Sequence, residues 1–185
     1  NYYGETQTSV RVDNNGFLFF EGPSGNYFLN RQIPTEGGPD GVIAPLWTDL
    51  DFTSESGGSV HVLDDSENGR FIVQYTDAPP FIGEGAYTFQ VILSQSAPDQ
   101  TGGRIRFQYL NTNVDTPLGS TVGIESNTGT DGLQIAFNTE YVENNLATDV
   151  APPSVEFITA ISPASGAIAA GESETVDVTF DAAGL

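Results

Sequence analysis

The sequence predicts an all-β fold, an antiparallel β-sandwich of jelly-roll type. Three observations point there. Short runs with period-two alternation recur along the chain, turn signals separate them, and helical patterning is nearly absent. The 21 glycines and 11 prolines among 185 residues are scattered as punctuation between the runs. Strand after strand with short turns between them is the pattern of an antiparallel sandwich or barrel.

The elements follow in order. Residues 9–13 alternate, Asn14-Asn15-Gly16 is a turn signal, and 16–20 is a β-rich run, so together they predict a hairpin. Residues 22–41 contain Pro23, Pro34, Gly37, Gly38 and Pro39 and read as a long surface loop with at most a short strand. Residues 42–51 are mostly apolar and hold the only tryptophan, Trp47. Residues 59–63 and 70–75 flank Asp64-Asp65-Ser66-Glu67-Asn68-Gly69, a second hairpin. Residues 87–93 with 104–110, and 121–125 with 132–137, predict a third and a fourth. In 139–150, Val142, Leu146 and Val150 are spaced by four, a pattern open equally to a helix and to an extended connection. Ala151-Pro152-Pro153 marks a boundary between a domain of residues 1–150 and an extension, 151–185. In the extension, 154–161 reads as one strand, and 174–181, with Val176, Val178 and Phe180 alternating on one face, as another.

Charge excludes whole classes of partner. The chain carries 25 acidic and 5 basic residues, a net charge of -20, and every basic residue is an arginine. A phosphate-binding surface needs clustered cations, so nucleic acid and anionic lipid are excluded as partners. Without lysine there is no Schiff base, and without cysteine there is no disulfide, thiolate ligand or thiol nucleophile. No apolar run approaches the roughly 20 residues that span a bilayer, so membrane insertion is not expected. The chain holds no methionine and begins Asn-Tyr-Tyr, which reads as a mature segment and leads to the expectation of secretion. An acidic surface attracts cations or suits high salt.

Four segments carry a family resemblance: Asn15-Gly16-Phe17-Leu18-Phe19, the run Ile43-Ala44-Pro45-Leu46-Trp47-Thr48-Asp49-Leu50-Asp51, then Thr88-Phe89-Gln90-Val91-Ile92-Leu93, and Gly103-Arg104-Ile105-Arg106-Phe107-Gln108-Tyr109. In that order and at those intervals, residues 9–138 resemble the nidogen-like extracellular module of bacterial secreted proteins. The resemblance implies an extracellular all-β domain linked to adhesion and surface structure, without catalysis. The tail from Ile161 resembles the opening of a Hydin- or BACON-type Ig-like repeat, through Ser-Pro-x-Ser-Gly, Gly-Glu-Ser and Val-x-Val-x-Phe. An Ig-like repeat has about seven strands, and the tail supplies about two. A strand of Thr175, Val176, Val178 and Phe180 therefore leaves backbone groups and an apolar face to be paired. A fragment boundary that cuts the repeat short and docking on the chain's own first domain are two explanations, and addition to another copy of the chain is a third.

Candidate chemistry is sparse. His61, the only histidine, lies out of phase with Val60 and Val62 and is expected to face solvent. Asp49 and Asp51 lie two apart at a strand end, so their side chains share a face about 7 Å apart. Such a pair suits calcium or a glycosidase pair, and equally a turn cap beside a solvated carboxylate. Asp64 opens a segment like the first half of a calcium loop, but Tyr75 stands where the closing acidic residue belongs, and a hairpin turn explains the same residues. Tyr27 and Phe81 lie in loops, where aromatic faces stack on sugar rings or fill interfaces. The expectation is a non-enzymatic extracellular structural or adhesion module of a prokaryotic surface protein. Its partners are other copies of itself or neighbouring surface modules, and it assembles through its C-terminal strand. Calcium-assisted carbohydrate binding is the alternative.

Overall fold

The computed structural model of the chain describes residues 1–53, 55, 57–96, 102–115, 117, 119–152 and 158–180. The chain divides into two units, Asn1–Ala151 and Pro152–Leu185. The first contains β1 (Arg11–Asp13), β2 (Phe17–Phe19), β3 (Ile43–Trp47), β4 (Ser59–Asp65), β5 (Arg70–Ala78), β6 (Tyr87–Ser94), β7 (Arg104–Asn111), β8 (Thr121–Glu125), β9 (Gly132–Phe137) and β10 (Ala147–Val150). Two five-stranded antiparallel sheets, ordered β1-β2-β3-β8-β9 and β10-β7-β6-β5-β4, pack as a sandwich. The four hairpins the turn signals predict are all present, as β1–β2, β4–β5, β6–β7 and β8–β9. Among the described residues there is no α-helix, only one 3-10 turn at Ser66–Asn68.

Period two decides which side chains meet. In β5, β6 and β7 the buried residues alternate: Val73 and Tyr75, then Tyr87, Phe89 and Val91, then Ile105, Phe107 and Tyr109. They pack with Leu18, Ile43, Leu46 and Val122 of the facing sheet to form the main core. The Tyr75 and Phe89 rings stack with centroids 4.6 Å apart.

β2 and β3 are buried at every position, because the first sheet is covered on both faces at these two strands. Continuous apolar runs follow from that double burial. A second core of Phe17, Phe19, Ile33, Val42, Ala44 and Trp47 lies on the face turned away from the sandwich interior. Residues 22–41 form no strand, as expected, but they are more than a surface loop: they bring Ile33 into this second core and pack Tyr27 against it. Trp47 stacks on Phe17 at 4.5 Å and donates its indole N–H to the Tyr27 carbonyl at 2.7 Å.

Residues 139–150 adopt the extended alternative. The backbone turns before Leu146, and β10 then pairs with β7 from Ala147↔Gln108 to Val150↔Ile105. The four-residue spacing of Val142, Leu146 and Val150 comes from partial packing on the main core and not from a helix face.

The second unit contains β11 (Ile158–Ser162) and β12 (Asp177–Phe180), paired antiparallel from Ile158↔Phe180 to Ser162↔Asp177. Of the two predicted strands there, residues 154–157 and 181 lie outside the described residues. β12 begins after Thr175 and Val176 because β11 ends at Ser162, before Pro163, which has no N–H to pair.

Candidate functional site

One open cleft of about 560 Å³ gathers four pieces of backbone in the first unit. The β1–β2 turn supplies Asn14 and Asn15, and residues 49–53 follow directly from β3. Asn26 and Phe28 come from the β2–β3 loop, and Phe81 from the β5–β6 loop.

Asn15 pins the turn to the strand. Its backbone N–H and side-chain amide both donate to Asp13 Oδ1, at 2.9 and 3.0 Å. Its own Oδ1 accepts the Leu50 N–H at 3.2 Å, and its carbonyl accepts the Thr48 N–H at 3.1 Å. The next residue must be glycine: Gly16 has φ 79°, and a Cβ there would sit 2.0 Å from the Leu46 carbonyl oxygen. Residues 49–51 are zipped to 79–81 by Asp51 N–H to the Pro79 carbonyl at 2.9 Å and Phe81 N–H to the Asp49 carbonyl at 3.0 Å. This pairing brings the Phe81 ring and the two aspartates to one cleft.

The lining combines aromatic surface with hydrogen-bonding groups. Phe81 is 62% exposed and Phe28 41%, with Phe52 partly buried between the cleft and the main core. Asn14, Asn26, Thr53, Asp49 and Asp51 supply polar atoms, and among the described residues no cationic side chain lines the cleft. Burial, then the neighbouring Asp51 charge, raises the Asp49 carboxyl above the usual carboxylate range. Asp51 accepts the Thr53 N–H at 2.9 Å and the Thr53 hydroxyl at 3.3 Å, the turn-capping arrangement open to it from the sequence. Ring faces with a few oriented polar groups suit one face of a sugar ring and its hydroxyls.

The predicted residues are only partly united. Asp49, Asp51 and Phe81 share the cleft, whereas Tyr27 and Asp64 lie outside it. Tyr27 packs edge-on against Phe17 and Phe19, at 6.2 and 5.8 Å, and donates its hydroxyl to the Pro23 carbonyl. Asp64 is the penultimate residue of β4 and accepts the Ser66 N–H at 3.1 Å, so it serves the β4–β5 turn. His61 is exposed, with Nε2 2.9 Å from Ser59 Oγ. Among the described residues no three or more of His, Asp and Glu gather where they could hold a metal ion. Calcium takes six to eight oxygens, so an ion at Asp49 and Asp51 would draw most of its ligands from water or a bound hydroxyl.

Phe28, like Tyr27 and Phe81, is one of the loop aromatics the sequence marks, and unlike Tyr27 it does line the cleft. One buried group escaped sequence reasoning. Glu125 ends an otherwise apolar strand and is only 2% exposed, with Oε2 accepting the Thr35 N–H at 2.7 Å. Burial pushes its carboxyl up to about 7, Asp40 adding to the rise and Arg31 opposing it. That bond ties the 22–41 loop to β8.

The C-terminal hairpin is a different kind of surface. Every residue of β11 and β12 is exposed, including Ile161, Val178 and Phe180, as is Val176 beside them. A two-stranded hairpin in water is marginally stable at best.

A family model described as NIDO related matches residues 1–170 and so continues past the first unit. No curated protein and no solved structure matches the chain.

Proposed function

We propose, for a chain that belongs to the NIDO-related family, a non-enzymatic role as an extracellular structural and adhesion module that joins copies of itself through its C-terminal hairpin. The observation that carries this reading is the hairpin itself. Among the described residues it is a sheet of two strands that presents Ile161, Val178 and Phe180 to solvent, with exposed Val176 beside it. Sheets become independently stable with three or more strands and a covered apolar face. Backbone pairing to a further strand extends the hydrogen-bonded ladder and buries those side chains together. In this reading the Hydin- or BACON-like pattern of the tail reflects Ig-type strands completed by a neighbour, either another copy or an adjoining module of a prokaryotic surface protein.

Negative-stain electron microscopy of the whole chain at millimolar calcium tests it. Regular filaments, or concentration-dependent oligomers, are expected. Deleting residues 174–185 is expected to abolish them and leave the first unit folded. Dispersed monomers at high protein concentration defeat the proposal.

A second reading rests on the cleft. Phe28 and Phe81 expose ring surface next to Asn14, Asn26, Asp49 and Asp51. We infer carbohydrate binding there, with calcium as an assisting ion held by the two aspartates and sugar hydroxyls. Such binding is compatible with an adhesive role, and either activity can be present without the other.

A further inference from the structure

We propose that the receiving edge for the C-terminal strand is β4 of a second copy, with Val178 of the donor beside Val62 of the acceptor. This rests on the strand-addition reading and names the surface it leaves open.

The argument begins with the four sheet edges of the sandwich. β1 has three residues and β10 four. β9 has six, but its pairing with β8 slips register between Val122 and Gly123. β4 has seven and pairs with β5 without a break, from Ser59↔Thr76 to Asp65↔Arg70. It is the longest and most regular open edge among the described strands. It also lacks proline and bulges, and its two charged residues, Asp64 and Asp65, stand together at one end.

The core is incomplete along this edge. Val62 stands in register with Val73, Val91 and Phe107 across the sheet. Those three are fully buried in the sandwich interior, yet Val62 is 53% exposed. Val60, in phase with it, packs only partly on the main core. The interior row therefore runs out into solvent at β4. One more strand with apolar residues at alternate positions would cover it.

The chain carries such a strand. Val176, Val178 and Phe180 alternate, and all three are exposed. In either strand direction, setting Val178 beside Val62 puts one of Val176 and Phe180 beside Val60 and the other beside Asp64, which pairs with Phe71. Asp177 and Thr179 then point outward, on the side of His61 and Leu63. Two copies of net charge -20 repel one another at long range, so the contact forms by short-range burial and strengthens with salt, which screens beyond about 10 Å at 0.1 M.

The absence of cysteine makes the test clean. Val62→Cys and Val178→Cys are prepared as two single variants, both at exposed positions, and mixed under mild oxidation. A mixed disulfide dimer is expected, in several-fold excess over the dimers each variant forms alone, with a yield that rises with salt. A Val62→Arg variant is expected to keep the wild-type melting temperature and lose assembly. If a third variant carrying both Val62→Cys and Val178→Cys closes its disulfide within one chain, the strand docks on its own sandwich and the proposal falls. If wild-type chains assemble while the mixed variants fail to crosslink, strand addition stands and β4 is not the acceptor. If nothing assembles and nothing crosslinks, both readings fall.

Discussion

The Tyr109 hydroxyl donates to the Pro45 carbonyl at 2.6 Å, joining β7 of one sheet to β3 of the other through the core. Proline is unexpected in β3, which lies between β2 and β8. Central strands avoid it because it removes a ladder donor. Here the β3–β8 register shifts between Ala44 and Trp47, so Pro45 sits in an irregularity of the ladder, and Tyr109 satisfies its carbonyl. Tyr75 acts in the same way, donating to the Asp13 carbonyl at 2.6 Å.

Tyr109→Phe keeps the ring and removes the donor. A buried carbonyl left unpaired costs about 1–3 kcal/mol, and that loss is expected in urea unfolding of the first unit. An unchanged midpoint would mean that water or another donor reaches Pro45.

Gly16→Ala is expected to destabilise by about 2 kcal/mol or more, because positive φ and a 2.0 Å approach to the Leu46 carbonyl oxygen both reject a Cβ. Thermal melts read it. The shifted turn also moves Asn15 and deforms the cleft, so ligand binding falls with stability.

Glu125 predicts a pH dependence. Its carboxyl is raised in the folded state from 4.5 to about 7, so the native state holds its proton more tightly than the unfolded state. This group's contribution is therefore favourable at low pH and is lost as pH rises from about 4.5 to 7. Glu125→Gln removes the ionisation and keeps an acceptor for the Thr35 N–H. Relative to wild type, it is expected to be more stable by about 1–2 kcal/mol at pH 8 after solvent screening, with a smaller difference near pH 4. Parallel melting curves across pH 4–8 check the sign. A difference that does not grow with pH contradicts it.

The cleft reading predicts that Phe81→Ala weakens binding of a neutral oligosaccharide about tenfold, equivalent to about 1.4 kcal/mol. Its side chain is 62% exposed, so stability should change by about 0.5 kcal/mol or less. Asp49→Asn and chelation by EDTA are expected to reduce binding alike if calcium bridges sugar and protein. Isothermal titration against a glycan panel decides it: binding insensitive to Phe81 removes the cleft as the site, and binding insensitive to EDTA removes calcium.

Period-two alternation and glycine-marked turns determined most of this protein's strands and its four hairpins, because both signals act between residues close in sequence. Net charge, -20, depends on composition alone and was legible without any structure. The meeting of distant segments was decided by tertiary structure. Alternation in β4 marks an apolar face but cannot say that Val62 will lie at an uncovered rim. A polar, proline-rich loop gives no sign that Ile33 will enter a second core or that Phe28, and not Tyr27, will line a cleft. Asp49 and Asp64 look alike as turn-end carboxylates, yet one reaches the cleft through the 49–51 pairing with 79–81 and the other serves a hairpin turn. Pro45 argues locally against a central strand, and a hydroxyl 64 residues away makes the position tolerable. In each case the deciding contact joins residues far apart in sequence, and its free energy depends on packing that no local pattern encodes.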